Sequence, residues 1–135
     1  MANSERVGID RRTGKVLIGW PHVVQSIEAI FTTAFFVRAM RPHVGSLHTR
    51  LFGELVLDGA QRFRFATVLA IRMFEPCFEP DLVEMVDLDR TGDTGWLIEG
   101  TYLPRGHLGD RTAAGRRQLV LTGGLGSIRV AGTTL

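Results

Sequence analysis

From Pro21 onward the apolar positions follow two different periods. Val23, Ile27 and Ile30 recur at helical spacing, with Val24 and Phe31 widening the stripe and Gln25, Glu28 and Thr32 on the polar side. Residues 21–34 therefore read as an amphipathic helix, and Pro21 suits its first turn because the missing N–H costs nothing there. Asp58 followed by Gln61 has capping-box spacing and opens a longer helix over 59–74. Phe65, Val68, Leu69 and Arg72 share one side of that helix, Phe63, Ala66 and Ala70 broaden its apolar surface, and Pro76 stops it. Between the two helices, Arg41-Pro42 disfavours helix. Gly45-Ser46 then allows a short one over about 46–52, with Leu47 and Leu51 inward.

After Pro80 the period falls to two. Residues 82–88 and 96–103 are β-rich runs flanking 89–95, a loop of glycines and short polar side chains, which is a hairpin signal. In the second run Trp96, Ile98, Gly100 and Tyr102 fall on one face and Leu97, Glu99, Thr101 and Leu103 on the other. A polar break over 104–115 precedes two short strand-like runs, 118–121 and 127–130, around the glycine-rich 123–126. At the other end, Asp10-Arg11-Arg12-Thr13-Gly14 is turn chemistry ahead of a short extended Val16-Leu17-Ile18. Helices first and strands afterwards give an α+β fold: two main helices plus a short one, packed on a small antiparallel sheet built around a hairpin in the C-terminal half.

Length and composition agree with one domain. The chain has 135 residues, 44% hydrophobic and 22% charged, enough to bury a core without a covalent staple. Its one cysteine, Cys77, excludes a disulfide framework within the chain. No apolar run approaches the ~20 residues of a membrane span. The first twenty residues lack the apolar block of a signal peptide, so secretion and membrane insertion are poor readings. The charge distribution changes the picture more than its total of +2. Residues 75–99 hold eight acids and one base, a net of −7; residues 105–129 hold five arginines and one acid, a net of +4. A further basic cluster, Arg38, Arg41 and Arg50, contains no acid. Such polarity suits oriented docking against charged neighbours, whereas nucleic-acid binding wants positive charge without an acidic block beside it.

Candidate chemistry is sparse. His43 and His48 do not share a helix face and have no carboxylate near in sequence, which speaks against a metal site. Cys77 has no adjacent lysine or histidine to activate it and reads as an inert thiol. The glycine run 123–126 lacks the Lys-Ser/Thr pair of a phosphate-binding loop. Glu75 and Glu79 are the pair a glycosidase reading would use, giving a peptidoglycan-degrading alternative, but nothing in their surroundings sets two acids apart from the other six.

Taken in order, Asp10–Gly14, Trp20-Pro-His-Val-Val-Gln-Ser-Ile27, Arg38-Ala-Met-Arg-Pro-His-Val-Gly-Ser46 and Glu75-Pro76 resemble the small baseplate wedge proteins of contractile phage tails. That family includes the W protein, the "tail lysozyme" group and the E component of the type VI secretion baseplate. The resemblance covers roughly 8–103. It divides the single domain 1–135 into an N-terminal arm (1–18), a family-like core (19–103) and a C-terminal extension (104–135). Val44 stands where the family usually has an aromatic, and Cys77 where it has an arginine. The resemblance implies a non-enzymatic component of the virion's tail baseplate, assembled in the host bacterial cytoplasm in multiple copies with six-fold symmetry. It would need no cofactor and bind no nucleic acid or membrane. Its partners would be baseplate wedge subunits, the tail sheath protein, and tail tube or hub proteins. The first sheath ring would pair in β-register with the hairpin or with 117–121. The expected partner-binding residues are Arg38 and Arg41, which have no acid near in sequence; Glu75, Pro76 and Cys77 at a docking corner; and Glu99 and Thr101 on the hairpin.

Overall fold

The computed structural model describes residues 5–51, 57–90, 93–123 and 127–134. Strands β1 (Val7–Ile9) and β2 (Val16–Ile18) form an antiparallel ribbon, followed by helices α1 (Trp20–Thr32), α2 (His48–Leu51) and α3 (Leu57–Phe74). Strands β3 (Phe78–Leu88), β4 (Thr94–Tyr102), β5 (Arg116–Gly123) and β6 (Ile128–Thr134) then build an antiparallel sheet in the order β3-β4-β5-β6. The architecture is the expected α+β. The turn at Asp10–Gly14 is closed by Asp10 N–H to Lys15 O and Gly14 N–H to Asp10 O, both 2.8 Å. β1, too short and interrupted by Gly8 to show a period, was not expected.

Helix α1 buries Val23, Ile27, Ile30 and Phe31, as its stripe predicts. Helix α3 differs. Its buried side is Phe63, Ala66, Thr67, Ala70 and Ile71, while Phe65, Leu69 and Arg72, expected on the apolar side, face solvent. Apolar residues surround this helix, and the smaller alanines mark the side where the sheet and α1 approach. Because the helix already includes Leu57, Asp58 lies inside its first turn and not at the cap. In the short helix Leu51 is inward as expected, but Leu47 is exposed and His48 takes the buried place. His48 stacks on Phe31 at 4.1 Å between ring centroids and meets Phe63 edge-on at 4.8 Å; Phe63 stacks on Trp96 at 4.3 Å. One run of rings thus ties the three helices to β4.

Strand β4 alternates as its sequence dictates, with Trp96, Ile98, Gly100 and Tyr102 buried against the helices. Strands β5 and β6 add Leu119, Leu121 and Val130 to the same core. Arg116–Gly123 and Ile128–Thr134 are therefore part of the sheet that the helices cover.

Candidate protein-interaction site

The sheet order decides which backbone is free to pair. β4 lies between β3 and β5, and β5 lies between β4 and β6. Segment 117–121 therefore has both edges occupied and cannot take a foreign strand, contrary to one of the two placements expected for it. Glu99 and Thr101 belong to β4 and are likewise paired on both sides, so only their half-buried side chains reach the open face.

Two outer edges remain, and they differ. On β6, the Val130 N–H donates to Glu28 Oε2 of α1 at 3.2 Å, which blunts that edge at its middle. On β3, the register shifts twice, between Pro80 and Leu82 and between Met85 and Asp87. The strand runs out beyond the helices with Leu82, Met85, Val86 and Leu88 exposed. Irregularities of this kind, with Glu84 and Asp87 between the apolar residues, are how proteins keep an edge from pairing indiscriminately.

The acidic and basic blocks of the sequence meet in part on the open face. Arg111 pairs with Glu79 at 2.6 Å, Arg116 with Asp81 at 3.1 Å and with Glu99 at 3.9 Å. Gln118 Nε2 donates to Glu99 Oε1 at 3.2 Å. Part of the polarity attributed to docking is thus spent inside the sheet, in exposed pairs worth little individually.

The Glu75-Pro76-Cys77 corner is also turned inward. Glu75 is fully buried, and Arg6 Nη1 donates to its Oε1 at 2.6 Å, with the Cys77 N–H at 3.3 Å from the same oxygen. Glu75 therefore does not present a carboxylate at the surface: it anchors the N-terminal arm, from a partner 69 residues away in sequence. Cys77 is buried too, its Sγ 3.6 Å from His107 Nδ1, and burial pushes the thiol up, as an inert cysteine requires. Pro76 alone of the three is exposed. Glu79 is held by Arg111 on the open face, so the two acids of the peptidoglycan-degrading alternative do not face one cleft.

Arg38 and Arg41 lie on a loop after α1. Thr33 O accepts from the Ser46 N–H at 2.9 Å, and Ala34 bridges Ser46, closing the neck of a loop that projects from the end of α1. A Cβ on Gly45 would stand 2.9 Å from the Ala34 and Thr33 backbone, so the neck needs a glycine. Both arginines are exposed, with no ion pair among the described residues. Sequence reasoning missed the apolar company they keep: Phe36 is 84% and Met40 94% exposed, and Val37 stands beside them. Phe36 also adopts φ 67°, uncommon and strained for an aromatic residue, and its N–H donates to Pro42 O at 2.9 Å. The loop thus combines a strained backbone with apolar side chains held in water. The run Phe35-Phe36-Val37 just past the helix end was the available signal.

His43 is exposed and His48 is core, and among the described residues no three His, Cys, Asp or Glu side chains are grouped to hold a metal ion. No protein-family model and no curated protein matches the sequence. Among solved structures, a chain of the pyocin R2 baseplate, seen by cryo-electron microscopy after contraction, is similar to this one. The identity is 30% and the TM-score 0.63, over 72% of this chain and 98% of that one.

Proposed function

The chain belongs to the baseplate proteins of contractile tails, and from that premise we propose that it is a structural component joining wedge subunits to the tail core and templating the first sheath ring. The observation that carries the reading is the free outer edge of β3, the only long strand whose outer side neither a neighbouring strand nor a helix carboxylate is seen to occupy among the described residues. An unpaired edge accepts an extended arm through main-chain hydrogen bonds, and Leu82, Val86 and Leu88 offer side-chain contacts that give such pairing its register. Wedge subunits are assigned to the Arg38–Arg41 loop, where exposed apolar side chains and guanidinium forks suit a partner surface with carboxylates around an apolar centre. Pro76 is a separate exposed point of contact in this scheme, while Glu75 and Cys77 support its corner from inside.

Hydrogen exchange on the full chain, with and without purified sheath subunit, tests the template. Amides of residues 82–88 that face away from β4 should become protected when the sheath subunit is added, while those of 117–121 stay protected throughout. Equal exchange of 82–88 in both states overturns the template.

A further inference from the structure

The N-terminal ribbon has one face on the body and one on nothing. Gly8 and Leu17 form its inner face: a Cβ on Gly8 would stand 2.3 Å from the His22 ring, so a larger residue would push that ring aside. Gln25 fastens it further, accepting from the Arg11 N–H at 3.0 Å and donating to Ile9 O at 2.9 Å. The register sets Val7 opposite Ile18 and Ile9 opposite Val16. With the two-residue period of strands, all four stand together on the outer face, each 54–66% exposed.

Four β-branched side chains in a two-by-two block gain nothing from water. A two-stranded ribbon is also marginal on its own, and this one is secured from a single side. The turn at one end of the block is net positive, whereas Glu5 brings a negative charge near Gly19 at the other end. Arg6 is neutralised by Glu75 and Arg12 by Glu28, and Asp10 is held by the Arg12 N–H and the Thr13 hydroxyl. Arg11 and Lys15, in the turn at the end of the block, carry no ion pair among the described residues.

We propose that this block is a docking site for an amphipathic helix of another baseplate chain, its apolar stripe on Val7, Ile9, Val16 and Ile18 and its carboxylates toward Arg11 and Lys15. A helix there completes a helix–ribbon–helix layering with α1. An added strand would use the ribbon's edge and leave the face bare. The inference rests on the reading of the chain as a baseplate component.

The test places a photo-crosslinking residue at Ile9 or Val16 of the full chain and compares carbene footprints of the free protein and the assembled tail. The block should be labelled when free and shielded when assembled, with crosslinks on a helical, acid-flanked segment of a different chain. Ile9→Thr with Val16→Thr, which keeps strand propensity, should weaken incorporation by about tenfold. Should that variant misfold, Arg11→Glu with Lys15→Glu in the exposed turn should weaken it in the same direction. Equal labelling in both states, crosslinks to a second copy, or crosslinks to a basic segment overturn the inference while the baseplate reading stands. Absence of the wild-type chain from the tail overturns both.

Discussion

His48 shows how much a single buried side chain can set. Thr67 donates its hydroxyl to Phe63 O at 2.8 Å, so its oxygen must accept from His48 Nε2, also 2.8 Å away. That fixes the neutral tautomer with the proton on Nε2. Burial lowers the imidazole to about 3. Between that value and the ordinary 6.5 the unfolded chain binds a proton that the folded chain refuses, so stability is full above pH 6.5 and falls as the pH drops toward 3. The slope is about 1.4 kcal/mol per pH unit. His48→Phe keeps the ring stack and leaves Thr67 bonded to Phe63 O. Denaturant melts should find it within about 1 kcal/mol of wild type at pH 7 and clearly more stable than wild type at pH 5. Parallel pH profiles for the two proteins would assign the acid sensitivity elsewhere.

Elements were legible to the extent that their own residues determine their surroundings. The α1 stripe has one apolar side and reads directly. In α3 apolar residues lie all round, and the choice between the Phe65–Leu69 side and the Phe63–Ile71 side is made by what packs there, which is a property of the sheet. The role of Glu75 was out of reach for the same reason, since its partner Arg6 is brought back by the ribbon. Removing that carboxylate leaves a guanidinium whose side chain is 31% exposed, so the cost is below that of a fully buried pair. Glu75→Ala should lower stability by about 1–3 kcal/mol and speed hydrogen exchange in 5–9 ahead of the rest of the chain. Loss of partner binding with unchanged stability would return Glu75 to the surface role first expected of it.

At the scale of the whole molecule, the charge polarity of the sequence splits in two. Glu79, Asp81 and Glu99 pair with Arg111 and Arg116 across the sheet, whereas Arg38 and Arg41 have no such counterpart among the described residues. Reversing both loop charges, Arg38→Glu with Arg41→Glu, should weaken baseplate assembly more at low salt than at high salt, with the melting temperature nearly unchanged. Assembly that is indifferent to the change at both ionic strengths would make the loop an ordinary solvated surface.

The inequality of the two sheet edges has a consequence for what a crowd of these molecules can do. A sheet open on both sides is a monomer unit for a fibre, since each added copy exposes a new place for the next. With β6 blunted at Val130 by Glu28 and β3 left open, the four-stranded sheet has, among the described residues, one wholly open edge. Copies joined through β3 close off each other's open sheet edge, so that sheet does not grow past a pair. A foreign strand taken up there meets this chain on one side only and keeps its other side free. Growth can then proceed only from the arriving chain, away from this one.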